Sequence, residues 1–319
     1  MITMLDIDSR QMERLRAAHY NATLIEVVEV HADLRILRVR PDGGMPTFRA
    51  GQFVSVGLGY WEPRVEGAQA EQLSEEQLFK VPRRAYSISC TMLDKSGVVV
   101  APSCWPYLEF YVALVRQAAR HAPVMSPRLF ALRPGGRLFV ETKAVGTFTL
   151  ERVSPTDDVV LLATGTGEAP HNAMTAELLA ANHRGAIVSV ACVRRRRDLA
   201  YLPTHRKLEK MFENYHYQAL TTREPENLDP DAPGYVGKQY LQDYVASGGL
   251  QRDTGLELQP DRSHAFLCGN PAMIGLPQKQ PGSNVRRPAP GGMIDVLTRR
   301  GFRADLPQEP GNLHFERYW

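Results

Sequence analysis

The stretch Thr164-Gly165-Thr166-Gly167-Glu168-Ala169-Pro170 has the residue types of a phosphate-binding turn. Glycines let a backbone approach a phosphate closely. A helix entered through Pro170 adds free N–H groups and the positive end of its dipole. The stretch is neither the G-x-G-x-x-G of ordinary dehydrogenases nor a loop ending in Gly-Lys-Ser/Thr, so ATP hydrolysis loses support. Glu168 is the odd member. A carboxylate beside a pyrophosphate repels it, so this side chain is expected to point away. Arg194-Arg195-Arg196-Arg197 follows the apolar run at 186–193. A charge run is usually solvated surface. At the carboxyl end of a parallel strand, however, arginine suits a ribose 2′-phosphate where an acid would suit a free 2′-hydroxyl. Arg223 follows another strand-like run, and Lys238 is expected at the start of the next helix. Both are placed to converge on the same point.

Arg84-Ala85-Tyr86-Ser87 opens a predicted strand. Read plainly, it is a strand with an exposed arginine and a core tyrosine. Read chemically, it offers a guanidinium for a pyrophosphate, an aromatic plane for an isoalloxazine and a hydroxyl near its N5. Alternation puts Arg84 and Tyr86 on one face. Cys268-Gly269-Asn270-Pro271-Ala272-Met273 lies at another strand end. It reads either as a buried cysteine before a turn or as part of the crevice that holds the glycine loop. The sequence finishes His314-Phe315-Glu316-Arg317-Tyr318-Trp319. Large aromatics at a terminus imply docking, either on a barrel or over a flavin ring.

The elements that must position these residues change character along the chain. From Ala22 to about Val145, short β-branched and aromatic runs alternate with turns such as those at 41–44 and 133–136. That texture predicts a closed or nearly closed antiparallel barrel. A polar helix over 8–18, capped by Asp8 or Ser9, precedes it, and a helical turn follows Ser126-Pro127. Beyond 154, apolar runs alternate with amphipathic helices, which predicts a doubly wound parallel sheet. The expected domains are therefore 1–153 and 154–319. Segments 60–82 and 277–291 are expected as surface excursions.

The 319 residues are 43% hydrophobic and 23% charged, with a net charge of +3. This balance is too mild for a nucleic-acid partner, although a local basic patch facing an acidic protein stays open. Cys90, Cys104, Cys192 and Cys268 form no C-x-x-C pair and no Cys/His metal spacing, so no metal site is expected. Neither an apolar leader segment nor a membrane-length apolar run occurs, and a soluble cytoplasmic monomer is the expectation.

Taken in this order, the R-x-Y-S tetrapeptide, the T-G-T-G-x-x-P loop, C-G-N-P-x-M and the aromatic terminus resemble the ferredoxin–NADP(H) reductase family, nearest its bacterial ferredoxin/flavodoxin type. The likeness runs from about residue 20 to the end, with the two inserts as departures. It implies an FAD-binding barrel, an NADP-binding α/β domain, and hydride exchange between NADPH and FAD. It further implies one-electron exchange with an acidic ferredoxin or flavodoxin. On the FAD side it implies Arg84 on the pyrophosphate, with Ala85 beside it. Tyr86 stacks on the flavin and Ser87 lies near N5. Phe110, Tyr111 and Val112 form a second contacting strand, and Met125 and Ser126 a phosphate-binding helix turn. Thr166 lies where the loop meets cofactor, Tyr318 covers the second flavin face, and Trp319 reaches toward the adenine. On the NADP side it implies Gly165, Thr166 and Gly167, then Arg194, Arg195, Arg223 and Lys238 on the 2′-phosphate. Gly269, Asn270, Pro271 and Met273 join them, with Cys268 near the nicotinamide. Lys238 stands where a third arginine is common and loses the bidentate fork. Ser87, Cys268, Glu316 and Tyr318 are the implied catalytic set. Two alternatives are a related NADPH-dependent flavin reductase serving an oxygenase or other soluble acceptor, and a flavin- or nucleotide-binding electron-transfer subunit without turnover of its own.

Overall fold

Half-buried, alternating strands need partners on both edges, and the first part of the chain supplies them by curling one sheet on itself. In a computed structural model that describes residues 8–276, 278–279, 286–287, 291–306 and 308–318, six strands form an antiparallel sheet. They are β1 (Ala22–His31), β2 (Leu34–Pro41), β3 (Phe53–Gly57), β4 (Arg83–Ser87), β5 (Leu108–Ala113) and β6 (Arg137–Val140), in the order β4-β3-β6-β1-β2-β5. The two edges approach each other through an antiparallel bridge between Ser89 and Glu109, with a 2.8 Å N–H···O bond. Tyr86 and Phe110 meet edge to face across the same gap, 6.1 Å between centroids. The interior is filled by Leu24, Leu37, Val39, Val54, Phe110 and Leu138. Burying each such side chain contributes roughly 1.5–3 kcal/mol.

A polar helix, α1 (Ser9–His19), precedes the barrel; the Asp8 side chain accepts the Gln11 N–H at 2.7 Å and caps it. The segment 60–82 is not the surface excursion its composition suggests. Trp61 and Glu62 are 1% and 2% exposed. Glu62 accepts from Arg16 Nε and Nη2 at 2.8 and 2.6 Å, and from the Tyr20 hydroxyl at 3.0 Å. The buried carboxylate is thus fully partnered, which is the condition for burying it. Farther along, α2 (Glu75–Leu78) is closed by a Ser74–Gln77 capping box and buries Leu78.

The second part alternates strand and helix. Runs buried on both faces make β7 (Asp158–Thr164), β8 (Ile187–Val193) and β10 (Ser263–Gly269), and the more polar, partly buried β9 (Tyr215–Thr221) joins them. The helices are α4 (Glu168–Ala180), α5 (Leu202–Met211), α6 (Pro225–Leu228), α7 (Leu241–Ala246), α8 (Gly249–Thr254), α9 (Pro271–Ile274) and α10 (Met293–Thr298), while α3 (Met125–Ala131) belongs to the first part. Two short strands, β11 (Gln278–Lys279) and β12 (Arg286–Arg287), pair with each other. Leu313–Arg317, where no strand is expected from the sequence, is β13, a parallel edge strand on β10, giving the order β13-β10-β7-β8-β9. The polar His314 is accommodated because its ring stacks on Phe266 at 4.3 Å and its Nδ1 lies 3.0 Å from Asp305. Helix α8 was likewise not anticipated. The chain divides into two compact units, Met1–Cys90 with Pro102–Thr147, and Thr91–Ala101 with Phe148–Trp319. No helix among the described residues is long and apolar enough to cross a membrane. No group of three or more His, Cys, Asp or Glu that could hold a metal occurs among them.

Helix α4 is buried on a polar stripe, Glu168, His171, Asn172 and Thr175, spaced as one helical face. Neither ring nitrogen of His171 has a hydrogen-bond partner among the described residues, and burial pushes its pKa down to about 3. The unfolded chain takes up a proton below its ordinary value of about 6.5, whereas the folded chain does not until about 3. His171 therefore favours folding above pH 6.5, and that contribution is lost as pH falls. A His171→Leu variant should lose up to about 1.4 kcal/mol per pH unit less than the parent over that window. Urea denaturation at stepped pH measures it, and parallel stability profiles would disprove the assignment.

Candidate functional site

In the second unit all five strands run parallel, so their carboxyl ends share one edge. The strand order reverses between β7 and β10, which is where open α/β sheets form a crevice. The loop Gly165–Gly167 follows β7 there, and Gly269 ends β10. The two are in close backbone contact. A Cβ on Gly167 would lie 2.4 Å from the Cys268 carbonyl oxygen, and one on Gly269 would lie 2.3 Å from Thr164 Oγ1. The Asn270 N–H donates to Thr164 Oγ1 at 2.8 Å, and Asn270 caps α9 through the Ala272 N–H. Gly165 has open space but φ of +54°. Alanine at 165 therefore meets only backbone strain, about 1 kcal/mol. Alanine at 167 must push backbone apart and should cost more, roughly 1–3 kcal/mol. Thermal unfolding of both variants tests the order; a milder Gly167→Ala would contradict this packing.

The same edge gathers the terminal residues. Glu316 lies opposite Cys268 in the β10–β13 register, and the Tyr318 N–H donates to Gly269 O at 3.1 Å. Cys268 is wholly buried; burial, then the Glu316 charge, push its thiol well above the usual range, against a hydrogen bond from the Tyr318 side chain. Such a thiol stays protonated and is no nucleophile. Pro271 and Met273 lie in α9, with Met273 in the core. Trp319 lies outside the described residues, as does most of 277–291.

Arg194 and Arg223 follow β8 and β9, and the Arg223 and Thr222 N–H groups both donate to Arg194 O, at 2.8 and 3.3 Å. The backbones of two exposed arginines are thereby joined on adjacent strand ends, and neither guanidinium has a carboxylate partner among the described residues. Arg195 and Arg196 differ. The backbone N–H of Arg195 donates to Asp198 and that of Arg196 to Glu224 at 2.6 Å, and the Arg196 guanidinium pairs with Glu226 at 3.0 Å. Lys238 does not begin a helix: α7 starts at Leu241, and the ammonium lies 5.6 Å over the Tyr240 ring instead. Tyr235 and Tyr240 are 48% and 45% exposed, half-free aromatic rings that the sequence reading passed over. Their signal was two tyrosines flanking a lysine in a Pro-Gly loop.

Glu168 meets the expectation that it points away from the crevice. It is fully buried, and its Oε1 accepts from the Tyr217 hydroxyl at 2.7 Å. Thr166, just ahead of it, is 9% exposed.

In the first unit, Arg84 and Ala85 are exposed on edge strand β4, Tyr86 is half-buried and Ser87 buried. The register Val54↔Tyr86 and Val56↔Arg84 keeps Arg84 and Tyr86 in step on one face. Arg84 donates to Arg83 O at 2.8 Å and has no carboxylate partner among the described residues. On β5, Phe110 and Val112 point into the barrel core, and buried Tyr111 alternates to the other face. Met125 is also core, so only its backbone is free for a ligand. The Ser126 hydroxyl accepts the Val115 N–H at 3.0 Å and so holds the loop after β5 on α3.

A family model for the oxidoreductase NAD-binding domain matches residues 161–279. The flavodoxin/ferredoxin–NADP reductase of Escherichia coli K12 is 31% identical over 228 residues, 71% of this chain and 76% of that protein. The ferredoxin–NADP reductase of Pseudomonas aeruginosa is 29% identical over 236 residues, 71% and 75% of the two chains. Among solved structures, a Neisseria gonorrhoeae ferredoxin–NADP+ reductase with bound FAD and NADP superposes with a TM-score of 0.67 at 17% identity. It covers 93% of this chain and 97% of that one, and shows the likeness of fold. With 31% identity over 71% of this chain to the Escherichia coli protein, and a barrel followed by a parallel nucleotide-type sheet, the chain belongs to the flavodoxin/ferredoxin–NADP reductase family of oxidoreductases.

Proposed function

We propose that the chain is an FAD-dependent ferredoxin/flavodoxin–NADP(+) reductase. The observation that carries the NADP half is the pair Arg194 and Arg223, exposed, without carboxylate partners among the described residues and joined backbone to backbone beside the glycine loop. Two guanidinium groups without internal partners suit a dianionic 2′-phosphate. Gly165, Thr166 and Gly167 would take the pyrophosphate on backbone N–H groups, and Gly269, Asn270 and Pro271 would line the crevice beside Cys268. Tyr235 and Tyr240 offer rings against which an adenine can lie.

The first unit would hold FAD. Arg84 would pair with its pyrophosphate, Tyr86 would lie against the isoalloxazine, and Ser87 would donate near N5. Tyr318 is assigned to the flavin, and Glu316 to proton handling, by resemblance to the family. Bound FAD supplies hydride exchange with the nicotinamide and single-electron exchange with the carrier. The relatives' names point to a ferredoxin or flavodoxin as that carrier. Purified protein should absorb in the visible as a flavoprotein and pass electrons from NADPH to ferredoxin or flavodoxin. Colourless protein, or yellow protein that reduces only an oxygenase component, would overturn the proposal.

A further inference from the structure

Glu168 stands next to a loop built for phosphate, and its charge is held inside the unit. It is the first residue of α4, immediately after Gly165–Gly167. Its Oε1 accepts from Tyr217 at 2.7 Å and lies 3.2 Å from His205 Nε2. His205 Nδ1 lies 2.7 Å from the Tyr215 hydroxyl, and the His205 ring stacks on Tyr217 with centroids 3.9 Å apart and planes 9° apart. Glu168 and His205 are 0% exposed, Tyr215 and Tyr217 1%. Burial and the nearby Glu168 push the Tyr215 hydroxyl well up, so it keeps its proton and donates to Nδ1. That leaves Nε2 as the donor to Glu168. One carboxylate oxygen thus collects two donors, while Oε2 has no partner among the described residues.

The three elements tied together are those that carry the nucleotide-binding groups. Glu168 belongs to the glycine loop's helix. Tyr215 and Tyr217 belong to β9, which runs on to Arg223. His205 belongs to α5, which follows the arginine run. We propose that Glu168 is a positioning residue: its buried Oε1 fixes the glycine loop against β9 and α5, and so sets the spacing between the pyrophosphate site and the Arg194–Arg223 pair. The proposal rests on the nucleotide reading of this unit. Acceptance at Oε1 is what matters, and the charge is not. Glutamine keeps a carbonyl oxygen for both donors and removes a negative charge from beneath a phosphate site.

The test is the dissociation constant of NADP+ for flavin-loaded protein, measured by calorimetry, beside the rate of flavin reduction at saturating NADPH. Glu168→Leu should weaken NADP+ about tenfold while the saturating rate stays close to the parent's. Tyr217→Phe, which removes only one hydroxyl, should weaken it in the same direction and remain informative if Glu168→Leu fails to fold. Combined, the two changes should cost less than the product of the single effects. Glu168→Gln should bind as tightly as the parent or tighter. Unchanged NADP+ affinity in Tyr217→Phe and Glu168→Leu overturns the proposal while leaving the nucleotide site intact. A Glu168→Gln as weak as the leucine variant also overturns it. Parent protein that binds no NADP+ overturns the nucleotide reading and this proposal with it.

Discussion

Replacing Arg194 with alanine is expected to raise the KM for NADPH by about 10–100-fold and to change that for NADH little. The side chain is exposed and has no carboxylate partner among the described residues, so the fold should lose no more than about 0.5 kcal/mol. A charge-assisted contact with a phosphate contributes roughly 1.5–3 kcal/mol, which sets the size of the effect. Arg196 is the internal control. Its guanidinium already pairs with Glu226 at 3.0 Å, so Arg196→Ala should move the NADPH constant much less. Steady-state kinetics with both nucleotides decide this. Equal losses for NADPH and NADH in Arg194→Ala would remove the 2′-phosphate assignment.

The largest effect on stability is expected at Arg128. Its guanidinium is wholly buried and donates to the carbonyls of Gly59, Tyr60 and Val124 and to both oxygens of Glu71. It ties α3 to the segment after β3, where no regular strand supplies such bonds. Arg128→Met removes every donor at once and leaves Glu71, 8% exposed at its side chain, facing Arg64 alone at 3.7 Å among the described residues. Breaking a buried pair in this way costs about 3–5 kcal/mol, on the order of 10 °C in Tm. Removing both charges, as Arg128→Met with Glu71→Leu, should recover part of the loss, because no carboxylate is then stranded. Calorimetric melting of the three variants measures it. A double variant no better than Arg128→Met would mean that the carbonyl contacts, not the ion pair, hold this region.

The sequence spelled out the barrel because its strands alternate and its turns carry Pro-Gly pairs. It spelled out β7, β8 and β10 because strands buried on both faces read as unbroken apolar runs. Glu168 was placed correctly by electrostatics alone, although the residues receiving it, Tyr217 and His205, lie 49 and 37 positions away and left no local trace. Strand β13 escaped because an edge strand containing His314, Glu316 and Arg317 does not look apolar; its ladder with β10 is what makes it a strand. The burial of Trp61 and Glu62 escaped for a related reason. A glutamate-rich stretch is normally solvated, and Arg16 and Tyr20, 46 and 42 positions back, are what hold Glu62 inside. Lys238 was put on a helix that begins three residues later, at the usual precision of helix boundaries. The joining of Arg194 to Arg223 through the backbone lay beyond the sequence, which carried both residues but not their contact.

The most direct test is an anaerobic titration of the purified protein with NADPH and, separately, NADH, followed at the visible flavin band. A yellow protein is expected, whose band bleaches with about one equivalent of NADPH, and with NADH only slowly or at large excess. A colourless protein, or equal bleaching by the two nucleotides, would contradict it.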